Sequence, residues 1–195
     1  MLAVLGERGL LNLERALGDS AACRAPEGGE PTGPNPTDRA KAGCKRHWVT
    51  DGYGLPRVVT VGPANQRDET AVPELLWLLG AVLACRGGGR RRVGTFQGDR
   101  GYGLPWTIAL VRAWGLQSLL AVRGSAHGSG LGHRRLVVER TPSWFGHLRR
   151  LVQCYERKEA HFLGFQQVAA CVICARRIRL GRQPGEEFQL FGQVA

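Results

Sequence analysis

The sequence has no run of uncharged apolar residues as long as the roughly 18–20 that a membrane-crossing helix needs, so no part of it reads as a bilayer span. It is also short of acids. Sixteen Asp and Glu stand against 27 Lys and Arg, for a formal net charge of +11 and a pI near 10.3. That deficit argues against a cationic partner and for a polyanionic one, of which nucleic acid is the usual case. A second metal-type cysteine pair is missing as well. Of six cysteines, only Cys171 and Cys174 are spaced CxxC, inside the apolar helical run "FQQVAACVICARRI". Structural zinc normally takes four ligands from two such pairs, so core packing is the expectation there. The opening "MLAVLGERGLLNLERALG" carries charge too early and too often for a secretory leader. Reduced thiols and a cytoplasmic location are therefore expected. Internal repeats are absent.

What is present suffices for one domain with a real core: 195 residues, 43% of them hydrophobic. Residues 2–17 read as a leucine-rich helix, and 24–44 as a Gly/Pro loop. "KRHWVTD", a turn built on Asp51, Gly52 and Gly54, and "LPRVVTVGPAN" read as a hairpin. A helix follows, with Asp68 or Thr70 as its cap and Pro73 in its first turn. After the basic connector "RGGGRRR" come a strand from Val93 to Gly98, a helix in "LPWTIALVRAWG" and a strand in "LQSLLAVR". A glycine/serine loop at 124–132 leads into a helical pattern from His133 to Arg150, interrupted at Pro142. A last helix covers about 160–178. The pattern predicts an α/β fold, a mixed sheet with helices on its faces.

Three acids stand out by position. Asp19 sits at a candidate first strand, Asp99 ends a later one in "FQGDRGYG", and Glu139 lies in the helical "HRRLVVERT". Carboxylates from separate elements that converge can hold two Mg²⁺ ions for phosphoryl transfer, because hard cations take oxygen ligands. Gathered without metal they repel one another, so structure alone is a poor reason for such a set. Asp38 and Asp68 compete as acids but read more simply as loop or capping residues. Around Glu139 lie Arg135, one turn earlier, and Arg140, Arg149 and Arg150, which suits a metal site beside a phosphate backbone. The plainer reading of Arg135 and Glu139 is an i,i+4 pair on a solvated helix. Trp48 and Trp106 read as packing residues.

"GGEPTGPNPTDRAKAGCKRHWVTDGYGLP", "GDRGYG", "RGSAHGSGLGHRRLVVERTPSWFGHLRRL" and "YERKEAHF" together resemble the DDE transposases of bacterial insertion sequences, in the family-five branch related to family four. The resemblance runs from about Asp19 to Arg177. It implies a ribonuclease-H-like fold over residues 19–178, preceded by a remnant of an N-terminal helical region at 1–18 and followed by a loose tail at 179–195. It implies Asp19, Asp99 and Glu139 as the catalytic, metal-holding triad, with Mg²⁺ as cofactor and Mn²⁺ able to substitute. The activity implied is cleavage of double-stranded DNA at the element's ends and strand transfer into target DNA, by a homo-oligomer assembled on DNA. Arg135, Arg140, Arg149 and Arg150 would touch phosphates, and Tyr102 would orient Asp99 or the DNA. The branch signature Tyr-x2-Arg-x3-Glu-x6-Lys is met at Arg135 and Glu139 but has Gly132 and Gly146 at its ends. Pro142 is a departure expected to kink the helix that aims Glu139. Two other readings stand beside this one: an inactive truncated copy that only binds DNA, and a nuclease acting on RNA–DNA hybrids.

Overall fold

The computed structural model describes residues 1–84, 93–122 and 140–181. A short helix α1 (Leu2–Glu7) precedes strands β1 (Arg15–Arg24), β2 (Gly33–Pro34), β3 (Ala42–Asp51) and β4 (Pro56–Pro63). A 3₁₀ turn (Asp68–Ala71) enters α2 (Val72–Ala84), followed by β5 (Thr95–Gly98), α3 (Pro105–Ala113) and β6 (Gln117–Leu120). The described part of the C-terminal region holds α4 (Arg140–Gly146), α5 (Arg149–Val152) and the long α6 (Glu159–Leu180).

The sheet is mixed. β3 runs antiparallel to β1 and β4, whereas β1, β5 and β6 are mutually parallel neighbours in that order. β2 adds a two-residue pairing to the start of β3. An antiparallel hairpin region continued by parallel strands, with helices on both faces, is the ribonuclease-H-like arrangement that the sequence predicts.

Strand alternation divides the core in two. One face carries Cys23, Cys44, Trp48, Val59 and Val61, covered by α1, α4, α5 and α6 through Leu5, Phe145, Leu151 and Phe162. The other carries Ala16, Val49, Val58 and Phe96, covered by α2 and α3 through Leu75, Leu76, Leu79 and Val111. Trp48 and Phe145 meet with ring centroids 5.3 Å apart, which seats α4 on the first face. Thr141 adds a hydroxyl bond of 2.7 Å to the carbonyl of Gly54 in the β3–β4 turn.

Several expectations change. The first helix ends at Glu7, not residue 17, because the chain turns at Gly9 with φ +69° and then extends into β1. Leu5, Leu10, Leu11 and Leu13 lie in the core shared with α6, and β1 begins at Arg15. Trp106 is 45% exposed, whereas Trp48 is wholly buried. Cys174 packs in the core as expected, but Cys171 on the same helix is exposed. The connector "RGGGRRR", the 124–132 loop, the helical pattern from His133 to Glu139 and the tail beyond Gly181 lie outside the described residues. Pro142 falls within the first turn of α4 as described. No described helix is long and apolar enough to cross a membrane.

Candidate active site

The parallel register of β1 and β5 pairs Arg15 with Thr95, Ala16 with Phe96 and Leu17 with Gln97. Arg15 reinforces it with a 2.6 Å bond from its guanidinium to the Gln97 side chain. Asp19 and Asp99, the latter just after β5, each lie two residues beyond the last pair, and the charges of both reach the Tyr102 hydroxyl. Asp19 is also opposite Trp48 across β1–β3 and so shares the face on which α4 packs. The two aspartates expected from the sequence therefore both lie within electrostatic reach of the Tyr102 hydroxyl. Glu139, the third, immediately precedes Arg140 of α4 and lies outside the described residues, as does Arg135.

The turn after β5 is built to present Asp99. Its Oδ1 accepts the backbone N–H of Gly101 at 2.8 Å, and its carbonyl accepts the N–H of Tyr102 at 3.2 Å. The Thr107 hydroxyl, in the first turn of α3, lies 2.5 Å from the carbonyl of Tyr102 and 2.7 Å from that of Leu104, sharing its one proton between them. The glycines are demanded by close approach. A Cβ on Gly101 would lie 2.6 Å from Asp68 Oδ2 and 2.9 Å from Asp99 Oδ1, and one on Gly103 would strike the Ala121 carbonyl oxygen at 1.8 Å.

Tyr102 is completely buried. Of the two roles the resemblance allows it, orienting Asp99 or orienting the DNA, the first suits a buried side chain better. Its hydroxyl lies 3.4 Å from His47 Nδ1 and is bonded to Ser20. Burial first, then the charges of Asp68, Asp19 and Asp99, hold its pKa well above the usual value for tyrosine, so it stays a neutral hydroxyl. Burial likewise pushes His47 down to about 4, against a smaller opposing pull from Asp68.

Asp68 is the residue that sequence reasoning misplaced. It does not cap the helix it precedes. Its Oδ1 accepts the Ser20 hydroxyl at 2.7 Å and the Lys45 ammonium at 3.2 Å, and His47 Nδ1 is 3.9 Å away. The available signal was strand alternation. Ser20, Lys45 and His47 fall on the sheet face otherwise carrying Ala16 and Val49, and buried polar groups there require a partner.

Among the basic residues, Arg140 opens α4 and is half-buried, and Arg149 opens α5 and is exposed. Arg150 is engaged at 2.5 Å by Glu156, whose side chain is nearly buried, and its guanidinium stacks 5.1 Å over Phe165. Among the described residues, no three His, Cys, Asp or Glu side chains are gathered closely enough to hold a metal ion by themselves.

A ribonuclease-H-like sheet with one aspartate on a strand and another just after the neighbouring parallel strand defines a class of nucleic-acid-processing domains. Residues 18–174 match the family described as "Transposase DDE domain". The chain is also 38% identical over 152 residues to a Burkholderia cepacia protein named as a candidate transposase for insertion sequence element IS402, covering 78% of this chain and 72% of that protein. The chain belongs to the DDE transposase family of insertion sequences, and its function is that of an insertion-sequence transposase.

Proposed function

We propose that this chain cleaves DNA phosphodiesters at the ends of its element in a divalent-metal-dependent reaction and joins the freed 3′-OH to target DNA. What supports the reading is the parallel pairing of β1 with β5, whose last pair, Leu17 and Gln97, stands two residues before Asp19 and Asp99. Their carboxylate oxygens are the hard donors that Mg²⁺ takes, and Mn²⁺ accepts the same set. Asp19, Asp99 and Glu139 would hold the metal, which when bound would supply Lewis-acid stabilisation of the attacking and leaving oxygens.

The protein's own groups prepare that site. The Gly101 N–H fixes which way the Asp99 carboxylate faces. Tyr102, kept neutral by burial, spaces the Asp99 turn from β3 without adding charge. Arg149, exposed at the start of α5, is placed to meet a phosphate, and Arg135, Arg140 and Arg150 complete the proposed basic set. The net charge of +11 would draw DNA to the domain and make binding salt-dependent.

The test is cleavage and joining of end-sequence DNA by the full chain in Mg²⁺ and in Mn²⁺, repeated with Asp19→Ala, Asp99→Ala and Glu139→Ala. Loss of cleavage in all three, with DNA binding retained, is the expected result. Unchanged cleavage in Asp99→Ala would remove that residue from the site.

A further inference from the structure

We infer that Asp68 is a positioning residue for the two site aspartates. The inference rests on the reading of Asp19 and Asp99 given above. Asp68 comes from the turn before α2, yet it touches both the strand that carries Asp19 and the turn that carries Asp99. Through the 2.7 Å bond from Ser20 it holds β1 at the residue next to Asp19. Because successive strand residues point to opposite faces, this bond grips the backbone under Asp19 without occupying the space in front of it. Through Oδ2 it abuts Gly101, whose N–H orients Asp99. One carboxylate thus sets the spacing between the strand that carries Asp19 and the turn that carries Asp99.

Lys45 is what makes a further acid tolerable there. Its ammonium bonds Asp68 Oδ1 at 3.2 Å and the Gln66 carbonyl at 2.6 Å, and both partners are mostly buried. Paired in this way, Asp68 contributes geometry with little added negative charge beside Asp99. Its Oδ1 is committed to Ser20 and Lys45, and its Oδ2 lies against Gly101, which is how it acts on the metal-holding residues. Supporting groups of this kind typically alter metal affinity or activity by about 10–100-fold when removed.

The experiment uses the full-length chain and two readouts: Mn²⁺ binding by titration calorimetry, and kcat and KM for cleavage of end-sequence DNA. Asp68→Ala should weaken Mn²⁺ binding by about 10–100-fold and lower kcat with KM for DNA unchanged. Ser20→Ala, which leaves the Asp68–Lys45 pair in place, should reproduce part of the loss, and it serves alone if Asp68→Ala fails to fold. Asp99→Ala is run alongside. If Asp99→Ala abolishes Mn²⁺ binding while Ser20→Ala and folded Asp68→Ala bind it as the unaltered chain does, the positioning role is overturned and the site stands. If Asp99→Ala also binds Mn²⁺ normally, the site reading falls, and the inference with it.

Discussion

Gly101 and Asp68 approach each other so closely that a single methyl group cannot fit between them: a Cβ on the glycine would lie 2.6 Å from Asp68 Oδ2 and 3.3 Å from Asp68 Cβ. Asp68 cannot swing aside cheaply, because Ser20 and Lys45 hold its other oxygen. Gly101→Ala should therefore displace the Asp68 or the Asp99 carboxylate and cost activity with little loss of fold. Gly103→Ala should do the reverse. There the obstacle is backbone, the Ala121 carbonyl at 1.8 Å, so α3 and the end of β6 must part. We expect Gly103→Ala to lower stability by about 1–3 kcal/mol or more. Thermal melts set beside cleavage rates separate the two effects, and equal melting losses in both variants would refute the distinction.

Much of this site could be read from residue order, and the reasons are local. "VGTFQGD" announces a strand that ends on an acid, and β5 does end one residue before Asp99. The hairpin was legible because Asp51 and two glycines separate two β-branched runs, and its strands are β3 and β4. The α1 boundary was not legible, since the leucines of "GERGLLNLERALG" suit a helix by spacing, and only packing against α6 makes them a core-lining extended segment. Asp68 was misread because its residue type and its place before a helix match a cap. Its real partners, Ser20 and Lys45, lie 48 and 23 residues away, and local spacing carries no such information.

Neighbouring arginines on α5 should behave differently. Arg149 is exposed, so Arg149→Ala should weaken DNA binding uniformly and reduce the salt slope of log K by about 1. Arg150 is held by the nearly buried Glu156 and stacks on Phe165. Arg150→Ala would leave that carboxylate without its cation, at about 1–3 kcal/mol of stability. Binding titrations at several salt concentrations, with denaturant melts of both variants, check this. An Arg149→Ala variant with an unchanged salt slope would remove Arg149 from the DNA contact.

Trp48 and Phe145 fasten α4, whose described part starts at Arg140, to the face bearing Asp19. Phe145 is fully buried, so Phe145→Ala should cost about 3–5 kcal/mol. Phe145→Leu keeps most of the volume and should cost far less. If α4 aims Glu139, cleavage should drop in Phe145→Leu by more than its small loss of stability accounts for. Urea unfolding and single-turnover cleavage of the same preparations test this, and a cleavage rate equal to that of the unaltered chain would show that the Trp48–Phe145 contact serves the fold alone.

Asp51 and His47, both on β3, should make opposite contributions to the pH dependence of stability. Asp51 accepts the N–H groups of Asn12, Tyr53 and Leu55 at 2.8–2.9 Å, but burial outweighs these bonds and raises it from its usual 3.8 to about 6. A raised carboxyl contributes stability that is complete below pH 3.8 and is lost as pH rises through about 6. His47 is lowered by burial from 6.5 to about 4, so its contribution is complete above pH 6.5 and is lost as pH falls through about 4. Each is on the order of 3 kcal/mol. Between pH 4 and 6 the two slopes oppose, and their sum in the unaltered chain is nearly flat. Asp51→Asn removes the falling one, so its stability relative to the unaltered chain should improve as pH rises from 4 to 6. The substitution also sets an amide N–H₂ against a backbone donor, so a constant loss accompanies the slope. His47→Gln should show the opposite relative slope. Urea unfolding of the three proteins at pH 4.5, 5.5 and 6.5 measures these differences, in which titrations common to all three cancel. Parallel profiles would mean that neither group is held as its burial requires.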